Sequence, residues 1–228
     1  MYLTLDGMGN VLEQEVRGPN GELSARVTRL FDALSRLQGE QGALATSGTK
    51  LQYDPNGNLT ALIDQMGRTT IRQYDNFNRT TRIHLPTPGP TSTSHIVSYS
   101  YNHQDLLTSV SDPRLLKTSY TFNGFGKRTA ISSPDTGTRK SVFDGAGNLE
   151  SIRDSRGVVT TYAYDAAQRL IRRGSTSYEY GAPATAASGR LKEMRDDSGQ
   201  TSYTYDSFGR ILAKRSVSSL GQLRGTSA

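Results

Sequence analysis

The chain repeats one short phrase about every 21 residues: an aromatic or aliphatic residue, Asp or Asn, two variable residues, Gly or a polar substitute, Arg or Asn, and usually Leu. Clear copies begin at Tyr53, Phe143, Tyr164 and Tyr205, weaker copies begin at Leu5, Phe31, Tyr74, Tyr101 and Phe122, and a broken copy ends in Gly189-Arg190-Leu191. A fixed period of this size is the signature of a repeat architecture, in which each unit buries its apolar side against its neighbours.

Each repeat is predicted to contain two short strands and two turns. Aromatic residues lie two positions apart before the Asp, as at Tyr162 and Tyr164, and this spacing puts both rings on one face of a strand. The Asp-x-x-Gly that follows suits a turn, because Asp accepts from backbone amides two residues on and Gly tolerates a positive φ. A second strand follows, for example over residues 59–62, and a second turn comes at 64–67. The sequence therefore predicts antiparallel hairpins in sequence order.

Two local features leave alternatives open. Leu59 and Leu62 lie three positions apart and do not alternate, so either the Leu belongs to the turn or the strand carries a β-bulge. Residues 27–37 place Val, Leu and Phe on a helical stripe. The repeat register runs through the same residues, and we favour a strand-turn-strand unit over a helix there.

The domain organisation follows from the repeats. We assign residues 1–215 to one repeat region with inserted loops at 39–50, 86–94 and 181–188, and we expect residues 216–228 to be a disordered tail. Only 34% of the residues are hydrophobic and there is no Cys, so a disulfide framework is excluded. This composition is too polar for a thick core and suits a single-sheet wall with two partly wet faces.

These repeats resemble the Rhs or YD-repeat family, named for its Tyr-Asp dipeptide, over almost the whole chain. The family includes bacterial Rhs polymorphic toxins, the C components of insecticidal toxin complexes, wall-associated bacterial proteins and animal teneurins. The resemblance implies an all-β fold in which a strand spiral closes into a hollow shell, and in bacterial members the shell holds a toxic C-terminal domain. Ten units of two strands would make a ribbon roughly 95 Å long, and sheets of that length normally curl. We therefore expect a curved sheet or part of a β-spiral shell.

The repeated Asp is interpreted as a turn-former and not as a ligand. Asp54, Asn56 and Asn58 alternate as calcium ligands would, but Gly57 occupies the fourth position of the loop instead of the sixth, and Gln65 stands where a Glu is needed. Catalysis requires one constellation, whereas this chain offers the same residue at every repeat.

No enzyme signature is present in the sequence. The histidines are His84, His95 and His103, without a Glu at metal-site spacing, and no P-loop or Gly-x-Ser-x-Gly elbow occurs. We therefore predict that the chain is not an enzyme, and we nominate no catalytic, cofactor-binding or metal-binding residue and no cofactor.

The net charge of +6 and the pI near 9.6 do not point to nucleic acid, because the basic residues are spread thinly. Stacked repeats could align a row of cations along one edge: Arg36, Arg79, Lys127, Arg169, Arg190 and Arg210. Such a row could contact an acidic cargo or an anionic polymer, but a solvated edge that discourages strand-to-strand aggregation is favoured.

Two functions of different class remain. The first is a structural wall segment of a toxin-delivery shell, whose partners are a toxin polypeptide and the remaining shell repeats. The Asp-Pro-x-Gly-rich core segment of bacterial relatives is missing, so this expectation includes a truncated shell. The alternative is a free-standing module that binds carbohydrate or another cell-surface ligand through its Tyr rings.

The expected location is outside the cell or on its surface. The sequence contains no apolar run long enough for a membrane span and no signal peptide, so export would use a secretion system or a signal outside this chain.

Overall fold

The structure is a computed structural model that describes residues 1–43, 47–86, 95–221 and 223–227. The described residues form strands, turns and bends and contain no helix, so the all-β prediction is confirmed. No helix able to cross a membrane is found among them. The chain divides into two units, residues 1–120 and 121–228, which are described separately.

The first unit is a run of antiparallel strands in sequence order. Its strands are β1 (Tyr2–Leu5), β2 (Val11–Arg17), β3 (Leu23–Phe31), β4 (Leu37–Gly42), β5 (Thr49–Tyr53), β6 (Leu59–Ile63), β7 (Thr69–Tyr74), β8 (Thr80–Leu85), β9 (His95–Tyr101) and β10 (Leu107–Ser111), followed by β11 (Lys117–Phe122), in which the unit ends. Each strand from β1 to β10 pairs with the next one along the chain.

The second unit repeats this arrangement. Its strands are β12 (Arg128–Ser133), β13 (Gly137–Phe143), β14 (Leu149–Arg153), β15 (Val159–Tyr164), β16 (Leu170–Arg173), β17 (Thr176–Tyr180), β18 (Leu191–Asp196), β19 (Gly199–Tyr205), β20 (Ile211–Ser218) and β21 (Leu223–Ser227). They too pair antiparallel with their sequence neighbours. The predicted hairpins in sequence order are thus present in both units.

A β-bulge follows the turn of each Tyr-Asp hairpin. Between β5 and β6, Tyr53 lies opposite Leu59 but Gln52 lies opposite Ala61, so Thr60 is an extra residue. The Thr60 hydroxyl donates to the Gln52 carbonyl oxygen over 3.2 Å. The bulge lets Leu59 and Leu62 face the same side although they are three positions apart, which decides the alternative that the sequence left open.

Neither unit has a thick core. Ala61 is 8% exposed and Ser109 is 6% exposed, and no described side chain is fully buried. More than half of the described strand residues are half-buried, and in β5, β7 and β17 they alternate with exposed residues. This agrees with the expectation of a thin wall, in which stability comes from cross-strand pairs and edge contacts more than from a central core.

The structure corrects several boundaries that the sequence analysis had set. The proposed loop at 39–50 is wrong in part, because β4 continues to Gly42 and β5 begins at Thr49; residues 44–46 lie outside the described residues. The expected strandless tail after residue 215 is also wrong, since β20 extends to Ser218 and β21 pairs with it. Residue 222 and residue 228 are not described.

Other boundaries agree with the sequence. The stripe at residues 27–37 forms the strand-turn-strand unit of β3 and β4, and not a helix. The loop at 181–188 contains no strand, only an isolated bridge between Gly181 and Ser188. Of the loop at 86–94, residues 87–94 lie outside the described part of the chain.

Candidate functional site: the Asp turn and its contacts with the next repeat

Each repeat turn is organised by the side chain that opens it. In the turn that begins at Asp165, Oδ1 accepts from the backbone N–H groups of Ala167 and Arg169, both at 2.9 Å. The Asp165 carbonyl oxygen accepts from the Gln168 N–H at 2.9 Å, and the Asp165 N–H donates to the Arg169 carbonyl at 3.0 Å. The side chain therefore satisfies amides that a bare three-residue turn would leave unpaired.

The same turn occurs at both ends of the hairpins. Oδ1 accepts from the second and fourth following amides at Asp6, Asp32, Asp64, Asp75, Asn102, Asp112, Asn123, Asp154 and Asp206. Asp64, Asp112 and Asp154 belong to the turns that join one repeat to the next. The two turn sites predicted from sequence are therefore one geometry used twice.

The fourth position of these turns requires a left-handed backbone. Gly57 has φ = 89°, and the polar substitutes Ser35, Asn78 and Gln168 have φ values of 59°, 60° and 60°. This explains why the register position of the repeat accepts Gly or a small set of polar residues. Leu115 has φ = 64°, although its side chain is large and apolar.

In five of the described turns an Arg follows the left-handed residue and returns to the Asp. Arg169 Nε donates to Asp165 Oδ2 at 2.7 Å. This hydrogen bond is the main cause that holds the pKa of the Asp165 carboxyl below its ordinary value. At Asp206 the pKa is lowered first by the backbone amide of Arg210 and then by its guanidinium. The carboxylates of these turns are therefore kept charged by the turn that they organise.

The guanidinium of Arg36 also reaches the next repeat. Arg36 forms an ion pair with Asp32, and its guanidinium carbon Cζ lies 4.8 Å from the centre of the Tyr53 ring. Its Nη1 donates to the Asp54 carbonyl oxygen at 3.1 Å. In return, the Tyr53 hydroxyl donates to the Leu37 carbonyl oxygen at 2.9 Å. We call this set of reciprocal contacts, a cation over the next aromatic ring and a Tyr hydroxyl on the preceding strand, the repeat clasp.

The repeat clasp recurs in both units. Arg79 lies 4.7 Å from the Tyr101 ring centre and donates to Asn102 O at 3.2 Å and to Asp105 Oδ1 at 2.6 Å. Arg169 lies 4.5 Å from the Tyr180 ring centre. The hydroxyls of Tyr101 and Tyr180 donate to the carbonyls of Thr80 and Leu170, each at 2.9 Å.

Weaker versions of the clasp use other side chains. Lys127 lies 5.4 Å from the Phe143 ring centre, and Arg190 lies 5.9 Å from that of Tyr205. Where Asn58 replaces the cation, its Nδ2 donates to Asn78 Oδ1 in the next repeat at 2.7 Å. A side chain with N–H donors at this position is thus the common feature, and stacking of the planar guanidinium strengthens the contact when the donor is Arg.

The cations that the sequence analysis placed in a row differ from the expected solvated edge in their contacts. The side chains of Arg36, Arg79 and Arg169 are 27%, 22% and 37% exposed and are held in ion pairs and ring contacts. They join successive repeats, so the expected solvated edge is wrong for these members. Arg210 is the exception, with a side chain 78% exposed that stacks over Phe208 of its own turn at 5.4 Å.

The side chains considered above as calcium ligands, Asp54, Asn56 and Asn58, are engaged in hydrogen bonds of the turn and its neighbour. Asp54 Oδ1 accepts from the Asn58 N–H at 2.8 Å and Oδ2 accepts from Asn58 Nδ2 at 2.9 Å, while Asn56 Nδ2 reaches Asn78 at 3.2 Å. No group of three or more metal-ligating side chains is found within the described residues. The arrangement holds backbone and side chains together.

Sequence reasoning missed the clasp although its members were visible. Arg or Asn recurs four residues after the Asp, and an aromatic residue precedes the Asp of the following repeat. From the sequence, the cations were assigned to an edge of the sheet and the rings to one face of a strand, and the two were not connected. Their coupled recurrence, a planar donor in one unit and a ring in the next, was the signal that could have revealed the contact.

Comparison with known families agrees with this geometry. A family model described as RHS Repeat matches residues 53–87, 143–179 and 187–219, which contain Asp-turn hairpins of both units. The chain contains RHS repeats. No match was found among curated proteins.

Solved structures share the fold of this RHS-repeat chain. A crystal structure of TcdB2-TccC3-Cdc42 matches with a TM-score of 0.58 and 16% identity over 95% of this chain, and one of TcdB2-TccC3 gives the same three values. A structure of the Tc holotoxin pore of Photorhabdus luminescens matches with a TM-score of 0.67 and 16% identity over 85% of this chain. The RHS-repeat chain spans 15%, 15% and 11% of those chains. At this identity the likeness concerns the fold.

Proposed function

We propose that this chain is a non-catalytic wall segment of a larger RHS-repeat shell that encloses a polypeptide toxin and helps to deliver it. The observation that carries the proposal is the repeat clasp. In the repeats that carry the clasp, the Asp, Arg and Tyr side chains fix one hairpin to the next. Such a chain is built to extend a sheet and not to hold a substrate.

The fold of the matched structures supports a shell more than a free-standing module. The same type of sheet occurs in TcdB2-TccC3 and in a Tc holotoxin pore, as a small part of much longer chains. A segment of this size would contribute wall to a shell completed by further repeats. Release to the outside of the cell would then be a property of the assembled toxin.

Carbohydrate binding is the weaker candidate. A Tyr ring that stacks on a sugar must offer a free face, whereas Arg36, Arg79 and Arg169 each cover one face of Tyr53, Tyr101 and Tyr180. The hydroxyls of these rings are also committed to backbone carbonyls. The most exposed rings, Phe77, Phe125 and Phe208, belong to the turns and not to a strand face.

Co-expression tests the shell. The chain would be produced with the remaining repeats and with the polypeptide encoded in the same or the neighbouring reading frame. We expect the polypeptide to co-purify and to resist a protease that digests it when it is free. A glycan array run with the same preparation tests the alternative.

Matched variants make the result specific. Arg79→Ala removes a repeat clasp and should expose the enclosed polypeptide to protease, whereas Arg210→Ala leaves the described clasps intact and should protect it as the unaltered chain does. A polypeptide that is digested equally with and without the RHS-repeat chain would refute the proposal, and selective binding to one glycan class would favour the surface-binding alternative.

A further inference from the structure

Three Asn-Gly pairs occur in the chain, Asn20-Gly21, Asn56-Gly57 and Asn123-Gly124. Asn followed by Gly is the pair most prone to spontaneous deamidation, because a residue without Cβ lets its backbone nitrogen approach the Asn amide carbon. Asn20 and Asn56 are exposed, whereas Asn123 is only partly so. Exposure alone would therefore rank Asn123 last.

The turn geometry reverses this ranking of reactivity, because it determines whether the glycine N–H that would attack is already hydrogen-bonded. Asn20 and Asn56 occupy the third position of their turns, so the glycine after each occupies the fourth position and closes the turn. The Gly21 N–H donates to the Gly18 carbonyl and the Gly57 N–H donates to the Asp54 carbonyl, both at 3.0 Å. Asn123 is first in its turn, and Gly126 supplies the closing N–H to its carbonyl at 3.0 Å. Within the described structure, the Gly124 N–H has no acceptor.

The side-chain amide of Asn123, which would be attacked, also has hydrogen-bond donors on its oxygen. Its Oδ1 accepts from the N–H groups of Phe125 at 3.1 Å and Lys127 at 2.9 Å. As a nitrogen adds to Cγ, negative charge develops on this oxygen, and two fixed donors stabilise it as donors of an oxyanion hole do. Among the described contacts, the Oδ1 atoms of Asn20 and Asn56 receive no such pair of donors.

We propose that Asn123 is a self-deamidation site of the folded chain. The Gly124 nitrogen loses its proton to solvent and forms a bond to Asn123 Cγ. The nitrogen Nδ2 takes a proton from solvent, the bond from Cγ to Nδ2 breaks, and ammonia leaves, which gives a cyclic imide. Water opens the imide at one carbonyl to give Asp or at the other to give isoaspartate, so no oxidant or cofactor is needed.

The two products have opposite structural consequences. Asp at position 123 restores the residue that opens most other turns, and Lys127 then stands where Arg169 and Arg210 pair with Asp165 and Asp206. Isoaspartate inserts a methylene into the backbone and removes the side chain that holds Phe125 N–H and Lys127 N–H. Deamidation thus either completes this repeat turn or loosens it.

Peptide mapping by mass spectrometry tests the ranking on the unaltered chain. Trypsin places the three pairs in separate peptides, 18–26, 51–68 and 118–127. After incubation of folded protein at neutral pH in heavy-oxygen water, we expect label from water at Asn123 at least about tenfold faster than at Asn20 or Asn56. In guanidinium chloride the three rates should converge, because all three turns are lost.

The chain supplies two matched controls. Gly124→Ala should slow labelling at Asn123 while it leaves the fold intact, since a Cβ at Gly124 meets nothing within 4 Å and its φ is not positive. Asn102 has the same two donors on Oδ1 but is followed by His103, and it should stay unlabelled. Native rates at Asn20 or Asn56 that equal or exceed the rate at Asn123 would overturn the proposal, as would labelling unchanged by Gly124→Ala in a folded variant.

Discussion

The turns that begin at Asp75 and Asp206 have the same local geometry but different surroundings. In both, an Arg four residues on pairs with the Asp, at 2.7 Å for Arg79 and 2.6 Å for Arg210. Both guanidinium groups lie over a Phe of their own turn, Phe77 and Phe208. Arg79 is 22% exposed and also contacts Asp105 and the Tyr101 ring of the next repeat, whereas Arg210 is 78% exposed. The local turn creates the ion pair, and contact with a following repeat makes the guanidinium part of the wall.

Acid should produce the largest effect, because it acts on every turn carboxylate at once. The pKa values of Asp75 and Asp206 are lowered, at Asp75 first by the Arg79 side chain. A lowered folded pKa contributes stability that is complete above the unfolded value of about 3.9 and is lost as pH falls through the folded value. We expect the denaturation midpoint to be level from about pH 7 to 5 and to fall steeply below about pH 4.

The control for acid is Asp75→Asn, since Asn102 shows that an amide can organise the same turn. This variant should depend less steeply on pH below about 4 than the unaltered chain. A midpoint that is the same at neutral and acid pH would show that the turn carboxylates do not stabilise the fold.

Removing the two guanidinium groups compares the turns directly. Arg79→Ala loses two ion pairs, a bond to the Asn102 carbonyl and two ring contacts, and should lower the free energy of unfolding by about 2 kcal/mol. Arg210→Ala should lower it by less than about 0.5 kcal/mol, as for an exposed pair. Chemical denaturation measures both, and equal losses would mean that the repeat clasp adds nothing to the local turn.

The Tyr hydroxyl is expected to contribute less than the guanidinium. Burial raises the pKa of Tyr101, so its hydroxyl remains a donor to the Thr80 carbonyl at neutral pH. Tyr101→Phe should cost about 1 kcal/mol of unfolding free energy, because it leaves that partly buried carbonyl without its donor. Tyr2→Phe is the control, since Tyr2 is 64% exposed and should change stability by less than about 0.3 kcal/mol.

The smallest effect should have the opposite sign. Leu115 has φ = 64° and is 85% exposed, so its side chain gives little packing in return for backbone strain. Leu115→Gly should raise the free energy of unfolding, by at most about 1 kcal/mol. Gly57→Ala, at φ = 89°, should lower it by about 1 kcal/mol. A loss of stability in Leu115→Gly would indicate that this side chain contacts a partner.

Much of the fold could be read from sequence because its determinants are local. Asp165 bonds to amides two and four residues away, so the turn and its left-handed position follow from five consecutive residues. The strand-turn-strand unit around Ser35 overrode a helical stripe for the same reason. The strands beyond residue 215 were missed because residues 216–218 and β21 lack the aromatic alternation and gain their place by pairing with other strands.

The period, the Asp turns and the antiparallel order of the hairpins follow from the amino-acid sequence, since each depends on hydrogen bonds between near neighbours. The position of the bulge at Thr60, and the placement of Arg36, Arg79 and Arg169 over rings of the next repeat, depend on the packing of neighbouring hairpins. Those contacts join residues 17, 22 and 11 positions apart, so they form only after neighbouring hairpins have paired in register.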